Sequence, residues 1–303
     1  MAHTKNKIRM AAGDRVFLTI AYVLLALALV IVIYPLVYVV SASVSSPDAV
    51  YSGEVILLPK QVTISGYRRV FQDDSIMTGY ANTLFYTVVG TLIDMVVTVP
   101  CGFALAQRKV PGKNIFMGIF MFTMYFGGGM IPTFLLIKNL GLYNTRAVLL
   151  ILGAFNCYNC IICRTFFSSI PAEMGEAAAI DGCSPMRYFL QIVLPISQAL
   201  LGVMVLYFAV GHWNSYFNAM MYTYRDALKP LQVILRRILV EAQMSAQMSE
   251  NMGGAEDYAN EQYQLAALIR YAVIVVSSVP VLILYPFLQK YFDQGVMIGS
   301  VKG

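Results

Sequence analysis

The stretch Glu176-Ala177-Ala178-Ala179-Ile180-Asp181-Gly182-Cys183-Ser184-Pro185-Met186-Arg187-Tyr188-Phe189-Leu190-Gln191-Ile192-Val193-Leu194-Pro195 lies between two apolar runs, and its reading decides the fold. Pro171, just upstream, suits the first turn of a helix, where its missing N–H leaves no bond unmade. Residues 172–180 are rich in good helix formers. Gly182 can take the positive φ that stops a helix. Ser184-Pro185 then reads as the N-cap and first position of a second short helix running to Leu194-Pro195. The expected local structure is a helix–turn–helix. Its alanines at 177, 178 and 179 leave a low surface able to sit deep in another protein's groove, while Glu173, Glu176 and Asp181 add anchoring charges. On chemistry alone, an amphipathic loop lying on lipid fits these residues equally well.

Around this stretch the chain is oily. Of 303 residues 58% are hydrophobic and only 12% charged, and the mean hydropathy is +0.67. Soluble domains carry about 25% charged residues, so the chain is an integral membrane protein. A span needs about twenty mostly apolar residues, and six candidates meet this: 16–40, 79–106, 115–137, 147–163, 196–219 and 264–288. The third is interrupted by Gly127-Gly128-Gly129 and Pro132, which are expected to end its helix early and leave 131–140 at the outer surface. The first run is too long for a signal-peptide core and lacks a small-x-small cleavage site, so it reads as a retained helix. The fold class expected is an all-α polytopic bundle of six transmembrane helices.

Lys and Arg set the orientation. Lys5, Lys7, Arg9 and Arg15 precede the first span, and Arg108, Lys109 and Lys113 crowd the link between the second and third. Both termini, that link and the 164–195 loop are therefore expected in the cytoplasm. Arg68, Arg69, Arg225, Lys229, Arg236 and Arg237 fall in long outer loops, where the rule acts weakly. The expected organisation is a cytoplasmic tail over 1–15, a membrane domain over 16–288 with the coupling loop at 164–195 and an outer loop at 220–263, and a cytoplasmic tail over 289–303.

Several chemistries are disfavoured. No basic run interleaved with aromatics offers a nucleic-acid groove. Cys157, Cys160 and Cys163 recur every third residue, a spacing that could hint at a metal, but they lie in an apolar run far from His3 and His212. They read as small, reduced packing residues, and no metal site is assigned. No G-x-S-x-G, no H-E-x-x-H and no paired catalytic carboxylates occur within the spans, so no catalytic residue is assigned either.

The spacing of the opening stretch carries a resemblance. Glu176-Ala177-Ala178, three residues, Gly182, nine residues, Ile192, one residue and Leu194-Pro195 match the EAA signature of binding-protein-dependent ABC permeases. Met130-Ile131-Pro132 through Leu142-Tyr143-Asn144-Thr145, Gly211-His212-Trp213-Asn214-Ser215, the tail Tyr285-Pro286-Phe287-Leu288-Gln289-Lys290-Tyr291-Phe292 and the ending Gly299-Ser300-Val301-Lys302-Gly303 extend it over nearly the whole chain. The sequence resembles the carbohydrate-uptake permeases related to the maltose system's second membrane subunit, and most its LplC/YtcP branch. The resemblance implies the type I ABC importer permease fold in a bacterial cell membrane. It makes Glu176, Ala177, Ala178, Asp181, Gly182, Ile192, Leu194 and Pro195 the surface on which a cytoplasmic ABC ATPase dimer docks. It also implies a second, homologous permease subunit completing a heterodimer and an extracellular solute-binding protein that delivers a sugar or oligosaccharide. No phosphate loop G-x-x-x-x-G-K-[ST] occurs, so ATP and Mg are expected on the partner ATPase and no cofactor on this chain. In the maltose-type relatives the outer loop reaches into the binding protein; here that carries over by position only.

Inside the spans, each ionisable group costs about 2.5–3.5 kcal/mol at the helix centre on insertion scales. Asp94 is the chief suspect. It could contact a solute hydroxyl, meet an Arg of the partner subunit, or bond neighbouring polar groups. Arg270 is near enough to a span end to snorkel. Trp213 could be an interfacial anchor or could stack on a sugar while Asn214 and Asn218 bond its hydroxyls, so the candidate solute path is Asp94, Trp213, Asn214 and Asn218. The rival function is an ion-coupled secondary transporter of a small polar solute. That class shows inverted repeats and several intramembrane carboxylates, whereas here Asp94 stands alone and no repeat is visible.

Overall fold

The computed structural model describes residues 12–107, 110–251, 269–283 and 286. Lys5, Lys7, Arg9, Arg108, Lys109, the tail motif apart from Pro286, and residues 252–263 of the outer loop lie outside the described residues. Among the described residues every regular element is helical and none is a strand.

Two helices are long and apolar enough to cross a membrane unaided: α1 (Ala12–Ser43) and α4 (Asp74–Ala106). The 33 residues of α4 extend about 50 Å. Between them lie the short α2 (Pro47–Tyr51) and α3 (Ser65–Gln72). The apolar flank of α1 from Val16 to Leu36 is exposed, as expected of a helix whose solvent is lipid or another protein.

The third and fourth expected spans are not continuous helices. Over 115–137 the chain forms α5 (Lys113–Tyr125) and α6 (Met130–Asn139), bent by 113° at the glycine run. Over 147–163 it forms α7 (Arg146–Ile151) and α8 (Cys157–Ser168), parted at Gly153 and Asn156. Asn156 Oδ1 accepts the Asn159 N–H at 3.0 Å, so an N-cap starts a new helix inside the apolar run. The remaining elements are α9 (Ala172–Ile180), α10 (Pro185–Tyr188), a π turn (Phe189–Val193), α11 (Leu194–Ile196), α12 (Gln198–Trp213), α13 (Phe217–Tyr222), α14 (Leu231–Asn251) and α15 (Ile269–Ile283).

The chain divides into two compact units, one drawn from 1–70 and 242–275, the other from 71–241 and 276–303. In the first, serines at the end of α1 tie down the segment that follows. Ser41 Oγ donates to the Leu57 carbonyl at 2.6 Å, Ser45 Oγ accepts the Lys60 N–H at 3.1 Å, and Ser43 Oγ pairs with the Tyr67 hydroxyl at 2.8 Å. In the second, α4 packs along both α8 and α12. Val99, Cys163, Phe167, Phe189, Val193, Leu200, Met204 and Phe208 form one buried cluster joining these helices to the π turn.

Candidate functional site

The 172–196 segment folds as its residue chemistry dictates. Helix α9 ends in a Schellman motif: the Gly182 N–H reaches the Ala179 carbonyl at 3.1 Å and the Cys183 N–H the Ala178 carbonyl at 2.9 Å. Gly182 sits at φ +73°, where a Cβ would be strained. Ser184 Oγ caps α10 by accepting the Arg187 N–H at 3.3 Å, with Pro185 at the first helical position.

Downstream, Pro195 lacks the N–H that an α-helix would use, and its ring crowds the carbonyl four residues back. The helix widens just before it into the π turn, in which the Leu194 N–H bonds the Phe189 carbonyl five residues back. Ser197 Oγ then donates to the Val193 carbonyl at 2.7 Å, and the chain bends by 85° into α12.

The outward and inward faces of this segment are separated. Glu176, Ala177, Ala179, Asp181 and Gly182 are exposed, and Ile180 is 87% exposed. Ala178 turns inward and is buried, so the low outward face is built by Ala177 and Ala179 without it. Ile192 and Leu194 are half-buried and Pro195 is exposed. Phe189 and Val193, not singled out above, root the segment in the bundle: both are buried, and the Phe189 ring lies 4.7 Å from that of Phe103 on α4. In the sequence they are an apolar pair at i and i+4, the spacing that puts both on one helix face. The Tyr188 phenol lies over Gly175 and closes α10 onto α9.

The intramembrane polar residues also find places. Asp94 on α4, 2% exposed, lies 2.8 Å from His212 Nε2 on α12 through its Oδ2. Among the described residues, Asp94 bonds a neighbouring polar group of its own chain, one of the three roles open to it. His212 fits because residue 90 is glycine: a Cβ there would fall 2.5 Å from the imidazole. Thr87, Thr91 and Thr98 share the face of α4 that carries Asp94. Their hydroxyls, with Asp94 Oδ1, are buried and find no partner among the described residues.

Trp213 is 4% exposed; its indole N–H donates to the Ser277 carbonyl at 3.1 Å, and its ring meets Tyr80 edge-on at 5.8 Å. Asn214 and Asn218 are exposed, and Asn214 Nδ2 donates to the Val210 carbonyl at 3.0 Å. The structure therefore joins Asp94 to His212, fixes Trp213 inside the bundle, and leaves the two asparagines at the surface.

Beyond α13 the chain is clamped to α4. Asn82 Nδ2 donates to the Ala227 and Lys229 carbonyls, the Tyr86 hydroxyl to the Leu228 carbonyl, and Thr83 Oγ1 accepts the Leu231 N–H. Asn144, in the left-handed region at φ +59°, accepts the Tyr224 and Arg225 N–H groups through Oδ1, both at 3.1 Å. This accounts for the Leu142–Thr145 stretch, whose Thr145 also caps α7. The Lys229 ammonium, 2.7 Å from Asp226, holds that exposed carboxyl below the usual range.

Among the described residues the chain is an all-helical membrane bundle with a capped helical hairpin rooted in its core, an architecture consistent with a membrane transport permease. Comparison with known proteins agrees. Residues 7–298 match the family described as the binding-protein-dependent transport system inner membrane component, and the chain belongs to that family. It is 38% identical to the polygalacturonan/rhamnogalacturonan transport system permease YtcP of Bacillus subtilis strain 168, over 96% of this chain and 99% of that one. It is 37% identical to LplC of the same organism, over 90% of each. Among solved structures it superposes on a bacterial ABC transporter involved in import of the acidic polysaccharide alginate. There the TM-score is 0.84 and the identity 36%, covering 94% of this chain and all of that one.

Proposed function

We propose that this chain is the channel-forming subunit of an ABC importer for an acidic oligosaccharide, driven by a separate ATPase that docks on residues 172–196. The observation that carries this reading is the hairpin itself: an exposed tip at Ala177, Ala179 and Ile180 and a root at Phe189 and Val193 in the core shared with α4, α8 and α12. Exposed apolar groups on a rigid turn fit a partner's groove, and a buried root passes displacement of the tip into the bundle because packed cores do not deform continuously. The solute class is supported by the relatives, since galacturonans and alginate both carry a carboxylate on their sugar units.

In this reading a homologous second permease completes the pore, an extracellular binding protein delivers the solute, and ATP with Mg is bound by the ATPase chains. Six crossings with both termini in the cytoplasm belong to this reading, with α5 in the third and α6 at the outer surface, α7 and α8 in the fourth and α15 in the sixth. The outer loop over 220–263 meets the binding protein.

Crosslinking tests the docking surface. In a Cys183→Ser background, cysteine at Ala177 or Ile180 is expected to crosslink to a cysteine in the ATPase cleft, and cysteine at the buried Ala178 to react at least several-fold more slowly. Equal reactivity at all three, or none, contradicts the proposed face.

A further inference from the structure

At the end of α12 far from the hairpin, an arginine lies on an exposed aromatic ring. Helix α12 runs for 16 residues, about 24 Å, from the bend at Ser197 to Trp213. The Trp213 bond to Ser277 and its edge contact with Tyr80 fix this end. Three residues on, Tyr216 is 38% exposed and packs edge-on against Phe217. The guanidinium carbon of Arg236 lies 5.1 Å from the centre of the Tyr216 ring.

The helix bearing Arg236 is equally rigid here. Leu231, Ile234 and Leu235 are buried, and the Leu231 N–H is held by Thr83 at 2.8 Å, which turns Arg236 to the outside. Among the described residues, the two acids closest to it in the chain face other cations. Asp226 is taken by Lys229 and Arg237, and Glu241 by Arg237. Arg236 has no carboxylate partner among the described residues.

A guanidinium held over a ring keeps its edge donors free, and its planar fork can receive a carboxylate through two parallel bonds. The apolar surface that Tyr216 and Phe217 leave exposed suits the C–H side of a pyranose, and the exposed Asn218 amide and the Asn214 Oδ1 adjoin them in sequence and can bond hydroxyls. We infer that Arg236 and Tyr216, with Asn214 and Asn218 beside them, form a subsite that reads the carboxylate of a uronic-acid sugar at the outer mouth of the permease. The inference rests on the acidic-oligosaccharide reading above and adds the residues that would discriminate a charged sugar from a neutral one.

The test uses the whole transporter with its binding protein in proteoliposomes, measuring ATP-dependent uptake of trigalacturonate and of its methyl ester, which keeps the ring and loses the charge. Arg236→Ala is expected to raise the uptake KM for trigalacturonate about tenfold more than that for the ester, the worth of one charge-assisted pair. Arg236→Lys, which keeps charge but not the fork, is expected to fall between, and Tyr216→Leu to shift the same ratio in the same direction. An equal rise for both sugars overturns the inference, since that is the signature of an Arg236 contact with an acidic surface of the binding protein or of a purely structural role. An unchanged KM ratio in all three variants overturns it as well. If the wild-type complex imports neither sugar, the acidic-solute reading fails and this inference with it; if it imports trigalacturonate and the variants match it, only the inference fails.

Discussion

Asp94 buries a carboxylate against an imidazole that lies 118 residues away in the chain. Neither group is tolerable alone in an apolar core, so each single replacement, Asp94→Leu or His212→Leu, is expected to cost about 1–3 kcal/mol by stranding its partner. The double replacement is expected to cost clearly less than the sum, with a coupling of about 0.5–3 kcal/mol. Unfolding free energies in detergent check this, and strict additivity would contradict a direct pair. Sequence alone marks Asp94 as an intramembrane acid in need of a partner and allows it three roles. The other half is His212, which in the sequence is one residue of the Gly211–Ser215 stretch. Helical spacing links residues within a turn or two, and nothing in it reports which helices cross at Gly90. One signal was available: His212 is the only histidine within a span, as Asp94 is the only carboxylate in the middle of one. Trp213 marks the opposite limit. Its sequence allowed an anchor or a sugar platform, and only the fold shows the indole bonded to Ser277 inside the bundle.

At the scale of elements, the hairpin was legible almost to the residue because its signals are local. Gly182 in the left-handed region, Ser184 as a cap and Pro185 at the first helical position are backbone requirements written into single side chains. The π turn was not legible, since it arises from Pro195 acting on carbonyls upstream within a helix that continues. The breaks in the third and fourth apolar runs divide the same way. Three consecutive glycines announced the first, whereas Asn156 inside a hydrophobic stretch was averaged away by composition although its capping chemistry was present. The hairpin also supplies a test at this scale. Gly182→Val forces a branched side chain into a left-handed conformation, a strain of about 1–2 kcal/mol, and so re-aims the exit from α9. The assembled transporter is expected to keep hydrolysing ATP while its uptake falls at least tenfold, read by assaying both on one preparation. Loss of hydrolysis and uptake in equal proportion would instead mean that the turn is needed only for assembly.

For the molecule as a whole, the exposed tip at Ala177, Ala179 and Ile180, the buried root at Phe189 and Val193, and the bend into α12 form one continuous line from the surface into the bundle. In the proposed reading this line carries the stroke of a separate ATPase into the bundle. The family match over residues 7–298 and the 0.84 TM-score to an ABC importer agree with that logic. An ion-coupled transporter of the kind built on inverted repeats carries several intramembrane carboxylates, whereas Asp94 is the one carboxylate in the middle of an apolar run of this sequence. The most direct measurement is uptake of labelled trigalacturonate into proteoliposomes holding both permease subunits and the binding protein, with and without the ATPase subunit. Uptake is expected only when the ATPase and ATP are both present, and to be abolished when the ATPase is left out. Uptake that persists without the ATPase, driven by an ion gradient, would contradict the account.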